Sequence, residues 1–189
     1  IFFLPSILPP IASSMIWTQI LGKDGLINQG LALIGIQGPA WLNTPSTALY
    51  GLILMGVWGI GNTIIIYLSG LQGVGEELYE ASSIYGANSF QRFFKITLPM
   101  ISPTIFFNVV MAVISSFQYF TQGFVITEGC PLNSTLFYNL YLYTKAYKEL
   151  KMGYAAALAW IMFIIILFFT LLVIKSSSFW VYYQNDDQI

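Results

Sequence analysis

Charge, histidine and cysteine are all scarce in this chain. Acidic and basic residues make up 8% of its 189 residues, and hydrophobic residues make up 57%. A soluble domain carries roughly 25% charged residues. So few charges cannot clothe the surface of a water-soluble domain of this length, which places the chain in a bilayer. Histidine is absent. That excludes a histidine proton relay and a histidine-ligated metal, and no metal site is expected. Cys130 is the single cysteine, so no disulfide can close within the chain. Its ordinary reading is a plain thiol near a turn. The net charge of −1 offers no basic surface for nucleic acid. There is no G-x-x-x-x-G-K-[ST] phosphate loop and no convergent catalytic set, so an enzyme is not expected.

What the chain does have is four long apolar stretches, at about 1–21, 47–71, 98–120 and 152–174. Each has on the order of 20 residues, which at 1.5 Å per residue spans the ~30 Å hydrocarbon core. None contains Asp, Glu, Lys or Arg. The expected fold is an all-α, polytopic helical bundle with four membrane spans and both ends on one side. Ile1 already lies in an apolar run with no basic segment before it, which is unlike a signal peptide. The chain is therefore expected to be the C-terminal part of a single transmembrane domain, with N-terminal spans missing. The spans hold Pro5, Pro9 and Pro10, then Gly51, Gly56, Gly59 and Gly61, then Pro99, Pro103, Ser115, Ser116 and Gln118. Small residues let helices approach closely, and polar ones need partners inside the bundle. Ion-coupled secondary transporters place ionisable groups at mid-membrane, and these spans have none.

The connections differ in kind. Residues 22–46 and 121–151 are irregular loops, with Trp41 suited to an interfacial anchor. Residues 72–97 form a polar island on the opposite face. Arg92, Lys95 and Lys175 lie on the island's side, against Lys23, Lys145, Lys148 and Lys151 on the other. Charge alone thus weakly favours the loops as the inner face.

The island predicts two short helices. Gly73-Val74-Gly75 breaks the preceding span. Glu76, Glu77 and Glu80 follow, where carboxylates complement the positive end of a helix. Leu78, Ala81 and Tyr85 share one face at helical spacing, and Glu76, Tyr79, Glu80 and Ser83 share the next. Gly86 sits where a helix can end in a left-handed residue. Ser89 is placed to cap the second helix, and Leu98-Pro99 to open the third span. By composition alone this is an amphipathic connector.

Glu80-Ala81-Ser82, Gly86-Ala87, Phe93 and Ile96-Thr97-Leu98-Pro99 resemble, in order and spacing, the EAA loop of binding-protein-dependent ABC importer permeases. Further matches run along nearly the whole chain. They include Phe3-Leu4-Pro5-Ser6, Gly25-Leu26-Ile27-Asn28, Asn133-Ser134-Thr135 and Gly153-Tyr154-Ala155-Ala156-Ala157. They resemble the carbohydrate-uptake branch, the permeases of maltose, multiple sugars and glycerol-3-phosphate. The chain departs at Ser82, where the family has a second Ala. It also departs at Tyr85 (usually Asp), Gly75 (usually Pro) and Cys130 (usually Gly).

The resemblance implies a type I importer permease fold with short cytoplasmic coupling helices. It implies a second permease subunit, an ATP-binding cassette ATPase dimer and an extracytoplasmic solute-binding protein as partners. ATP and Mg would be held by the ATPase and no cofactor by this chain. Glu80, Ala81, Ser82, Ser83, Gly86, Ala87 and Phe93 would meet the ATPase. The membrane would be a bacterial or archaeal cytoplasmic membrane, with this loop and the C-terminus cytoplasmic. The solute would be a sugar, an oligosaccharide. Glycerol-3-phosphate, polyamine or another non-sugar stays open, since such permeases share the loop, as does a non-ABC secondary transporter. Matching the maltose-type permease places Trp58, Gly59, Asn62, Ala112 and Ser116 on the substrate pathway, with Ser115 and Tyr119 nearby. Helix packing is the alternative role for these seven.

Overall fold

Proline and glycine decide where the apolar stretches break. The computed structural model describes residues 3–182, and within them there are helices and turns but no strands. The helices are α1 (Leu4–Ile7), α2 (Pro10–Ile20), α3 (Leu26–Leu33), α4 (Pro45–Trp58), α5 (Gly61–Gln72) and α6 (Glu76–Ile84). They continue as α7 (Ser89–Arg92), α8 (Leu98–Met100), α9 (Ser102–Phe117), α10 (Tyr138–Tyr143) and α11 (Met152–Ser177). Single π-helical turns cover Phe93–Thr97, Gly123–Thr127 and Thr144–Lys148.

These boundaries do not confirm all of the four expected spans. Among the described residues α11 alone is long and apolar enough to cross a membrane by itself. Counting α4 with α5, and Ser89–Met100 with α9, each as one interrupted span brings the number to three. The first expected span is not one helix. It is cut into pieces of 4 and 11 residues, and its Ile1 and Phe2 lie outside the described residues. The cause is local. Leu8 and Pro9 each precede a proline, which disfavours the helical region, and their ψ angles are 135° and 137°.

The third stretch also departs from expectation. Its helical path starts at Ser89, runs through the π turn and past Leu98-Pro99, and then bends by 64° at Ile101. Pro99 has no N–H to offer the Lys95 carbonyl, and the wider π turn lies immediately ahead of it. Pro103 likewise leaves the Pro99 carbonyl without its helical donor. The Ser102 hydroxyl donates to that carbonyl instead, at 2.6 Å.

The chain forms two compact units, one of residues up to Gly61 with Ser116–Phe163, the other of Asn62–Ser115 with the residues from Ile164 onward. In the first, Trp17 and Leu21 pack with Leu52 and Met55, flanked by Ile20, Ile27, Trp41, Leu42, Tyr119, Ile126 and Phe137. Gly51 permits this approach, since a Cβ there would stand 3.2 Å from Leu42 and 3.4 Å from Leu21. In the second unit Gly70 of α5 meets Thr104 of α9, and a Cβ would come within 2.7 Å of its hydroxyl. Many polar groups within the apolar stretches bond to their own helices rather than across the bundle. Ser14 donates to the Pro10 carbonyl, Thr18 to Ser14 and Asn108 to Thr104.

The loop after α2 is held by Asn28, which is buried. Its amide donates to the carbonyls of Lys23 (2.9 Å) and Pro39 (3.1 Å). Its oxygen accepts from the Trp41 indole at 2.8 Å. The polar end of Trp41, expected to serve as an interfacial anchor, is thus used within the loop. Asn28→Ala leaves that indole N–H and two carbonyls without these partners. It should lower stability by about 1–3 kcal/mol, read as a lower unfolding temperature of the purified protein by tryptophan fluorescence. An unchanged midpoint would refute the clamp.

Candidate functional site

The island folds as two helical pieces joined by a tight reversal, all within the second unit. Helix α6 opens with Glu76 and Glu77 in its first turn, where they face the unsatisfied N–H groups. It ends as the sequence predicts. Gly86 has φ +71°, and its N–H bonds to the Ser83 carbonyl while that of Ala87 bonds to Ser82, both at 3.0 Å. These two bonds are the Schellman pair that satisfies the last carbonyls of a helix. The next helix is capped one residue earlier than expected. Asn88, not Ser89, is the N-cap. Its side chain accepts from the Gln91 N–H at 2.8 Å, and the Gln91 side chain accepts from the Asn88 N–H at 3.0 Å. This is a reciprocal capping box built with Asn and Gln. Arg92 reaches back to the Ala87 carbonyl at 3.0 Å. Its guanidinium is therefore bound within the turn.

The expected coupling residues divide by exposure. Glu80, Ala81, Ser83, Gly86 and Phe93 are exposed, and Ala87 is half-buried. Ser82 is buried, and its hydroxyl donates to the Tyr79 carbonyl at 2.7 Å, as the Ser83 hydroxyl does at 2.9 Å. Ser82 thus lies on the supporting side of α6, together with Tyr79. The face that carries Leu78, Ala81 and Tyr85 points outward.

Phe93 is the single large apolar side chain among the expected coupling residues, and the structure exposes others near it. Ile84 (86% exposed), Tyr85 (89%) and Phe90 (73%) stand out from the island, and Phe93 and Phe94 are exposed as well. The Phe90 and Phe94 rings are 4.6 Å apart, and those of Phe93 and Phe94 are 5.1 Å apart. The usable signal was the density of large apolar residues in a segment otherwise rich in Glu, Ser, Asn and Gln.

The seven expected pathway residues lie in different places. Trp58 and Gly59 end α4, with the Trp58 ring edge-on to buried Trp17 at 5.7 Å. Tyr119 follows α9 and packs on Phe137 at 4.8 Å. Ser116 and these three belong to the first unit, while Asn62, Ala112 and Ser115 belong to the second. Asn62 lies in the first turn of α5. The Ser115 hydroxyl donates to the Ala112 carbonyl at 3.2 Å. Within the first unit Trp58 and Tyr119 both border the Trp17 cluster.

Residues 1–185 match the family described as binding-protein-dependent transport system inner membrane component. The chain is 45% identical to the probable ABC transporter permease protein YesP of Bacillus subtilis, over all of this chain and 62% of YesP. It is 38% identical to the multiple sugar-binding transport system permease protein MsmF of Streptococcus mutans, over 87% of this chain and 57% of MsmF. The chain thus spans less than two thirds of the length of these relatives. Among solved structures it is similar to a bacterial alginate ABC transporter in complex with an alginate pentasaccharide-bound periplasmic protein. That likeness has a TM-score of 0.86 at 22% identity over 94% of this chain and 62% of the other. It establishes the permease fold.

The reversal can be tested directly. No atom lies within 4 Å of where a Gly86 side chain would start, so backbone strain is the cost of substitution. A left-handed conformation costs about 1–2 kcal/mol for a residue with a Cβ, and more for a β-branched one. Gly86→Val should speed amide exchange at Ala87 by about tenfold or more, equivalent to about 1.4 kcal/mol. Gly86→Asn should exchange nearly as the parent does. Equal exchange in the Val variant would show that the turn does not depend on glycine.

Proposed function

We propose that this chain, which belongs to the family of binding-protein-dependent transport system inner membrane components, is a permease subunit of an ATP-driven sugar importer. The observation that carries the reading is the exposed apolar surface on the 76–97 segment. Ile84, Tyr85, Phe90, Phe93 and Phe94 are displayed on a segment that the chain's own hydrogen bonds hold in shape. Large exposed apolar patches mark protein contacts, and aromatic side chains are favoured at their centres. We assign this surface to a groove on a separate ATPase subunit, with Glu80, Ala81, Ser83, Gly86 and Ala87 around it and Ser82 beneath it.

In this reading ATP and Mg are handled by the ATPase dimer, and a second permease subunit completes the pathway. A solute-binding protein delivers the ligand on the opposite face. The 76–97 segment and the C-terminus are cytoplasmic in a bacterial or archaeal membrane. The motion of the ATPase is passed to the spans through α6 as a rigid body. Support for a saccharide comes from MsmF, named for multiple sugars, and from an absence of Asp, Glu, Lys, Arg and His in the apolar stretches. Trp58 and Tyr119 offer aromatic faces, and Asn62, Ser115 and Ser116 offer neutral hydrogen-bonding groups. Gly59 and Ala112 leave room beside them.

The test is uptake into vesicles holding the full-length permease, its partner permease, the ATPase and the binding protein. Labelled oligosaccharides, glycerol-3-phosphate, a polyamine and phosphate form the panel. ATP-dependent uptake of a saccharide is expected. Uptake of a non-sugar alone would discard the sugar assignment and keep the coupling surface. Ile84→Asp should lose the ATPase on co-purification while still inserting. Retention of the ATPase by that variant would overturn the coupling surface.

A further inference from the structure

Phe90, Phe93 and Phe94 already lie on the run that leads into α9, whereas the part of the surface on α6 can pass force to that run only if something ties the two together. The reversal at Gly86 is too narrow to do this, because it joins the two helical pieces through a few residues at one end. A second connection exists at the other end. The Tyr79 hydroxyl of α6 lies 2.9 Å from the Thr97 hydroxyl, across 18 residues of sequence. Thr97 is buried, and it sits on the last residue of the π turn, immediately before Leu98-Pro99. Both Ser82 and Ser83 donate to the Tyr79 carbonyl, so Tyr79 is anchored by its backbone as well as by its phenol.

The tie continues past the bend. Buried Ser102 donates to the Pro99 carbonyl at 2.6 Å, and its oxygen accepts from the Tyr182 N–H at 2.8 Å. Trp180, two residues before Tyr182, sets its ring edge against Phe106 of α9 at 6.2 Å. Its indole donates to Ser176, in the last turn of α11, at 3.1 Å. A single hydroxyl thus spans the 64° bend and also holds the segment that follows α11.

We propose that Tyr79, Thr97 and Ser102 are positioning residues for energy coupling. The two hydroxyl ties make α6, the run from Ser89 to Met100 and the segment after α11 into one lever. The inference rests on the reading of residues 76–97 as the ATPase-coupling segment. It adds that the fidelity of coupling depends on these hydroxyls, none of which is a contact on the exposed surface. A buried hydrogen bond is the right device for such a joint. It is directional, and it leaves a cost when broken, since one partner is stranded away from water.

The experiment uses the reconstituted complex with the full-length chain and reads solute molecules imported per ATP hydrolysed. Tyr79→Phe and Thr97→Val each remove one hydroxyl and keep the side-chain shape. Each should lower that ratio about fivefold, the factor that corresponds to one net hydrogen bond, while the ATPase still co-purifies and hydrolyses ATP. The double variant should be no worse than either single one, because the two changes remove the same interaction. Thr97→Ser keeps the hydroxyl and should restore the ratio. Ser102→Ala should lower it as well. An unchanged ratio in Tyr79→Phe and Thr97→Val, or additive losses in the double variant, would overturn the tie. Ile84→Asp separates this from failure of the underlying reading. If Ile84→Asp keeps the ATPase bound, the segment is not the coupling surface, and the role of the tie falls with it. If Ile84→Asp releases the ATPase while Tyr79→Phe couples normally, the tie alone is wrong.

Discussion

The structure depends on one constraint, which is that every backbone polar group in an apolar chain must find a partner within the chain. With no charge in its four long apolar stretches, the chain has few side chains able to recruit water. Helix is the economical solution, because each residue satisfies its neighbour four positions away. The interruptions are then the places where this cannot hold, and each is repaired locally. Ser102 supplies the donor that Pro103 lacks. The π turn ahead of Pro99 passes the Leu98 N–H to the Phe93 carbonyl. Gly86 and Asn88 close the two helix ends that meet at the reversal.

Composition and run length were enough to reveal helices and a polar island between them. They were not enough to give span continuity. The stretch from Ile1 to Leu21 has the length and polarity of a crossing, yet Leu8 and Pro9 are driven extended by the prolines that follow them. Hydropathy averages over a window and cannot register two residues with the wrong ψ. The same holds for Pro99 and Pro103. Pro99 reads as a helix start, but the helical path had begun ten residues earlier, and the bend falls at Ile101.

At the candidate site the legibility differs residue by residue. Gly86 was readable because a left-handed residue is a local demand that few side chains meet. The N-cap was misplaced by one position because Asn88 and Ser89 are both good caps. Only the reciprocal partner Gln91, three residues after Asn88, decides between them. Ser82, expected among the coupling residues, is buried. Its helical position is fixed by sequence, but which side of α6 is covered depends on how the segment folds back, as in the Tyr79–Thr97 contact. Such a contact between residues 18 apart leaves no periodic trace. The exposed aromatic group was visible as composition, and only its orientation required the structure.

The chemistry of that surface suits a contact that must persist while its two sides turn. Hydrogen bonds weaken steeply with angle and distance, so an interface built on them resists rotation or breaks during it. Apolar burial is non-directional, and a patch of Ile84, Tyr85, Phe90, Phe93 and Phe94 can slide against a partner groove with little change in buried area. Glu80 stands at the edge of this surface, while three other charged groups of the segment are used internally. Glu76 and Glu77 serve the start of α6, and Arg92 is bound to the Ala87 carbonyl. The directional bonds are kept inside the segment, where shape must not change, and the non-directional surface faces outward. This division lets a short segment act as a stiff body with a compliant contact.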